Sequence, residues 1–237
     1  MVITIITTTN TAMIEAAVLM RLLQLASPML PVGAYAYSQG LEAAIESGEV
    51  GDQTTSAVWI ADAMTLYLSR FELPLLARMY RAWCANDDCA HWNDLFLAGR
   101  DTAESRAETL QMGFSLTKLL IDLDVCDEAD QKRLEPMGEL SFPMAFAVAA
   151  AESGIPLEAA LQAYGWSWLE NQVAVAMKAI PIGQVAGQRL LLQLGADIPA
   201  AVAAAIVLDE SEISNVAPGL ALAGCRHEVQ YSRLFRS

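Results

Sequence analysis

Apolar residues in this chain return every three or four positions and almost nowhere every second one. Ile14, Val18, Leu22 and Leu25 step along one helical face until Ser27-Pro28 stops the run. Between 101 and 123, Ala103, Ala107, Leu110, Phe114, Thr117 and Ile121 repeat the step while charges occupy the other faces, which predicts a long helix. The same reading gives two helices over 53–83 with a break or kink near Pro74. It gives further helices over 141–152, 156–179 with Pro156 in the first turn, 182–194 and about 198–208. Strand-like alternation and internal repeats are missing, so the expectation is an all-α fold. The chain divides into a flexible arm (1–12), one globular multi-helix domain (13–224) and a distinct C-terminal tail (225–237).

The stretch SPMLPVGAYAYSQGLE, Ser27 to Glu42, interrupts that regularity with two prolines, two glycines and two tyrosines. It is an elbow between helices. Ser38 is placed to cap a short helix carrying Leu41, Ala44 and Ile45, with Glu42 in its first turn and Ser47-Gly48 at its end.

With 237 residues, 54% of them hydrophobic, the core needs no metal or disulfide staple. The formal charge of −14 repels phosphate backbones and anionic lipid heads, so nucleic acids and membrane surfaces are poor partners and other proteins better ones. Four cysteines do not make a disulfide scaffold and no segment reads as a secretory signal, which points to a reducing cytoplasm. Leu22 to Leu41 is charge-free over transmembrane length, but Pro28, Pro31 and Gly33 disqualify it as a span.

Candidate chemistry is sparse. CANDDCAH gathers Cys84, Asp87, Asp88, Cys89 and His91, either weak metal ligands or a polar interhelical loop. Cys225 and His227 form a Cys-x-His pair with too few ligands for a closed site unless two copies meet across a dimer. No nucleophile elbow or phosphate loop is present, which leaves catalysis and intrinsic GTP hydrolysis without a constellation. In WLENQVAVAMKAIPIGQVAGQRLL the charges are Glu170, Lys178 and Arg189. The first two stand about 12 Å apart along an ideal helix, too far to pair directly. Their carriers either snorkel at the core rim or belong to a docking surface containing Lys178, Gln184 and Arg189. The tail, CRHEVQYSRLFRS, sets Arg226, Arg233 and Arg236 against Glu228. A basic, aromatic end on an acidic body either folds back or reaches for a partner.

Four blocks, LLQLASPMLPVGAYAYSQGLE, ETLQMGFSLTKLL, ENQVAVAMKAIPIGQVAGQRLL and CRHEVQYSRLFRS, occur in an order that resembles the UreF family of urease accessory proteins from about residue 20 to the last residue. The resemblance implies a helical homodimer without catalysis or a cofactor of its own. It implies bridging of UreD (also called UreH) and the nickel-binding GTPase UreG, so that nickel and GTP are handled by the partner complex on apo-urease. Under it, Tyr35, Tyr37, Gln39 and Glu42 of the elbow join Lys178, Gln184 and Arg189 as GTPase-facing residues; the competing reading is a corner filled by two tyrosines. Arg226, Tyr231, Arg233, Leu234, Phe235 and Arg236 become the segment that orders on the UreD-type partner, mobile until then. A sparsely charged face between Glu158 and Lys178 is the expected homodimer contact. The alternative is a small metallochaperone that carries nickel on its own Cys and His residues.

Overall fold

Sustained apolar periodicity becomes helix throughout the computed structural model, which describes residues 14–237; no strand occurs among them. The arm expected over 1–12 lies outside the described residues. The helices are α1 (Ala16–Leu25), α2 (Leu41–Glu46), α3 (Gln53–Ala63), α4 (Leu73–Ala85), α5 (Ala90–Ala98), α6 (Ala103–Asp122), α7 (Glu128–Leu134), α8 (Phe142–Glu152), α9 (Leu157–Ala179), α10 (Gln184–Gly195), α11 (Ile198–Val207) and α12 (Pro218–Glu228).

The apolar helix α8 is the hub, with Pro143 through Ala150 all buried between α4 and α6. Ser141 starts it by accepting the Met144 N–H at 3.3 Å, satisfying a first-turn donor. The second axis is α9, covered by α10, α11, α4 and α2. Ala160, Leu161, Leu169, Val173 and Ala176 are consequently interior, so α9 does not offer the free dimer face expected between Glu158 and Lys178. Exposed apolar side chains stand instead on α10 and α11, at Val185, Leu192 and Val207. The stretch Gln184–Val207 is apolar and long enough to cross a membrane by composition. It is nevertheless two helices, parted by a turn at Ala196–Asp197 and bearing Arg189 and Pro199.

Two local expectations are corrected. The buried face of α6 is Glu108, Thr109, Met112, Gly113, Leu116 and Leu120, whereas Phe114 and Ile121 of the predicted stripe are exposed. Close approach decides the matter: a Cβ at Gly113 would stand 2.2 Å from the Leu140 carbonyl oxygen, so α6 meets the entry to α8 at a residue without a side chain. Near Pro74 there is no sharp break. Residues Met64–Glu72 widen into π geometry between α3 and α4, and Pro74 lies in the first turn of α4. Proline has no N–H to give the Arg70 carbonyl, which accepts from Ser214 N at 3.0 Å instead. The wide turn places Tyr67, Phe71 and Glu72 inside the bundle.

Candidate functional site

Gln39 and Gly40 take consecutive left-handed conformations, with φ of 53° and 83°. A Cβ on Gly40 would meet Ala223 Cβ and Gly224 N of α12 at 3.2 Å, so glycine both allows the turn and lets α2 pack against α12. Gly40, not Ser38, is therefore the residue before α2, and it gives no side-chain cap. Ser38 is spent elsewhere: its N–H and Oγ–H both donate to the main-chain oxygen of Ser237 at 2.5 Å, joined by Gln39 N at 3.1 Å.

The tail thus folds back, and the expectation that it is mobile in the free chain is corrected. Its backbone has buried acceptors waiting for it. Glu42, 5% exposed, accepts the N–H of Leu234 at 2.6 Å on Oε1 and that of Phe235 at 3.0 Å on Oε2. Arg236 N donates to Ala36 O at 2.7 Å, and Ser237 Oγ donates to Glu108 Oε2 at 2.7 Å. Phe235 fills an apolar niche of Leu41, Ala44, Val50, Val175, Ala176 and Ile180. Lys178 lies 4.3 Å over its ring, a cation–π contact, and reaches Leu234 O at 3.4 Å. Arg233 pairs with Glu104.

His227 sits at the centre, fully buried. Its Nδ1 stands 2.7 Å from Glu104 Oε2 and its Nε2 3.2 Å from Glu42 Oε2. Both ring nitrogens are occupied, while Cys225, two residues earlier, is exposed; the pair does not converge as metal ligands. Cys84 and Cys89 are likewise split, one exposed and one buried, and no group of three or more His, Cys, Asp or Glu among the described residues is placed to hold a metal ion. The structure therefore gives no support to direct metal carriage.

Gln39 connects this clamp to a second buried polar cluster. Its amide donates to Glu108 Oε1 at 2.7 Å and accepts from Trp168 Nε1 at 2.8 Å and Gln172 Nε2 at 3.3 Å. Beyond it, Glu72 receives hydrogen bonds from Tyr67 at 2.8 Å and Tyr164 at 2.7 Å, with Arg100 Nη1 at 3.3 Å. Arg100 is stacked over Phe96 at 4.2 Å and also donates to Tyr67. Burial pushes the Glu72 carboxyl up to about 7 and lowers the Arg100 guanidinium to about 10; it raises Glu108 as well. Small cavities of about 70 and 60 Å³ flank the seam, both touching Gln39, Arg100, Ser105 and Glu108.

The residues expected to form one elbow surface part company. Tyr37 and Glu42 are buried and Gln39 is half-buried; Tyr35 is exposed, with its hydroxyl donating to Glu170 at 3.3 Å. Desolvation and the Glu170 carboxylate raise that hydroxyl to about 12. Lys178, Gln184 and Arg189 remain at the surface. In the tail, Arg226 pairs with Glu49 at 3.0 Å, Phe235 is inward, and Tyr231, Leu234 and Arg236 face solvent. Sequence reading missed Ser38 as an acceptor's partner, and missed Glu72, Arg100, Glu104 and Glu108 altogether. The one visible signal was Glu104 and Glu108 four apart on a helix, with Glu108 on the side that faces inward.

Fold and site together define an all-helical protein whose most elaborate polar arrangement holds a peptide segment. The UreF family model matches residues 50–195. The chain is 55% identical to the urease accessory protein UreF of Methylobacillus flagellatus, over 92% of this chain and 97% of that protein. It is 55% identical to the UreF of an Azoarcus species, covering 92% and 95%, and 50% identical to that of a Janthinobacterium species, covering 94% and 100%. This chain belongs to the UreF family of urease accessory proteins.

Proposed function

We propose that this chain is the bridging subunit of a nickel-insertion assembly, joining a UreD-type (UreH) partner to the GTPase UreG on apo-urease. Nickel is cargo, and GTP is bound and hydrolysed by the partner, all in the cytoplasm. The observation that carries the reading is the tail's two-sidedness. Glu42 and the Phe235 niche fix the backbone of 233–237, so Leu234 and Arg236 are displayed outward from an anchored segment, with less ordering cost on binding than a free tail would incur, and exposed Tyr231 stands two residues before it. Tyr231 is fully exposed and Leu234 57% exposed, large apolar groups that a partner surface would cover. On this reading Tyr35, Lys178, Gln184 and Arg189 serve the GTPase side, and Val185, Leu192 and Val207 of α10–α11 serve homodimerisation.

Co-purification with separately prepared partners tests the assignment. The double variant Tyr231→Ala/Leu234→Ala should lose UreD-type capture by about tenfold or more with helicity intact. Gln184→Ala/Arg189→Ala, at exposed positions outside the tail clamp, should retain that capture and lose UreG recruitment. Full UreD-type yield from the tail double variant places the interface elsewhere and defeats the reading.

A further inference from the structure

Residues 233–237 are bound as a ligand is bound. The turn leading to them is tied less closely: Tyr231 and Ser232 are exposed and Gln230 bonds within the turn, while Glu228 and Arg233 at its two ends reach Glu104. Segment 233–237, by contrast, meets side chains and backbone from α2, α6, α9 and the elbow at nearly every residue. We propose that the cleft between α2, α6, α9 and α12 is a peptide-binding site for the sequence Arg-Leu-Phe-Arg-Ser, filled here by the chain's own end, open to the same sequence from a second copy, and controlled by the protons on His227.

Recognition is assigned group by group. Glu104 selects the arginine, Glu42 the two consecutive N–H groups, the niche around Leu41 and Ile180 the phenyl ring, and Ser38, Gln39 and Glu108 the serine. Proton control follows from valence. An ionised carboxylate only accepts, and a neutral imidazole has one N–H and one lone pair. With Glu104 on one side of the ring and Glu42 on the other, both contacts are hydrogen bonds only while the three groups share two protons.

The surroundings cannot supply a missing proton's charge. Facing the cluster are Arg233, committed to Glu104; Glu228 of the same helix, which accepts the Glu104 N–H; Arg226, paired outward with Glu49; Glu108 at the serine end; and Lys178 over the phenyl ring. Loss of one proton turns a lone pair toward a buried carboxylate, and if Glu42 moves away it takes with it the acceptor for Leu234 and Phe235. The segment is held at lower pH and freed as pH rises.

The test uses the full chain with Phe235→Ala, which empties the niche, and a fluorescein-labelled peptide QYSRLFRS. The variant should bind the peptide about tenfold more tightly than wild type does, because the wild-type segment competes in place. Its affinity, compared at about pH 6 and about pH 8.5, should be lower at the higher pH, because a ring with one N–H cannot donate to both carboxylates. A Phe-to-Ala peptide should not bind. Adding His227→Gln, whose amide donates on one side only, should flatten the pH dependence. No peptide binding by a folded Phe235→Ala chain overturns the site; binding with the same affinity at both pH values overturns the proton control. Should that variant not fold, amide exchange of Leu234 and Phe235 in the wild-type chain decides, after correction for intrinsic rates: protection independent of pH overturns the proposal. None of these measurements involves UreD or UreG, so they stand apart from the bridging reading.

Discussion

Two carboxylates, Glu72 and Glu42, are buried about equally deep and do opposite things with their burial. Glu72 is enclosed by Tyr67, Tyr164 and Arg100, partners that belong to or adjoin the helical bundle and are themselves locked by aromatic stacking. Glu42 gives its oxygens to the backbone of a segment 192 and 193 positions away and to a histidine. A buried charge surrounded by rigid partners cements a fold. A buried charge satisfied by a tethered segment makes a joint that can open. The difference predicts that damage at the first site is global and damage at the second is local.

Arg100→Met should break the comparison most severely, because it leaves Glu72 buried without its cation; a loss of about 3–5 kcal/mol in urea unfolding is expected. A loss below about 1 kcal/mol would mean that burial keeps Glu72 protonated, so that it needs no cation. Glu42→Gln comes next. It keeps one acceptor oxygen but removes the charge, costing about 1–3 kcal/mol, with α8 and α9 unaffected and the tail freed. Circular dichroism should show helicity near wild type while limited proteolysis cuts after Arg233.

A pH series sharpens the contrast. The Glu72 carboxyl rises from an ordinary 4.5 to about 7 on folding because burial disfavours its charge. The folded state therefore holds the proton longer than the unfolded state does. The contribution is fully present below about 4.5 and is lost as pH climbs to about 7. Glu72→Gln should flatten that part of the unfolding free-energy profile, and an unchanged slope would assign the dependence to other groups. The smallest effect belongs to Tyr231→Ala, within about 0.5 kcal/mol of wild type, since that side chain is fully exposed and its loss bears on partners, not on folding.

How much of this was legible follows from distance along the chain. Helices α6, α8, α9, α10 and α11 announced themselves because their residues interact three and four positions apart, a range periodicity reads directly. The short α5 and α7 did not, having too few turns for a pattern to build, and α12, though as long as α8, runs across the boundary drawn at 225. The buried face of α6 was misjudged because Gly113 sets the contact, and a glycine leaves no apolar signature. At the tail, sequence singled out the right segment through its aromatic and basic composition but not its direction. Phe235 turns inward and Tyr231 outward because Glu42 and Ser38 lie about 200 positions upstream, and no local pattern carries that pairing. Glu42 itself looked like a first-turn helix residue, which it also is.

Amide hydrogen exchange at Leu234 and Phe235, compared between wild type and Glu42→Gln, tests the central claim most directly, namely that Glu42 holds the tail to its own domain. The account predicts that both amides are protected in the wild-type chain and lose that protection in the variant while the amides of α8 exchange as before. Equal exchange at these two positions in both proteins would contradict it.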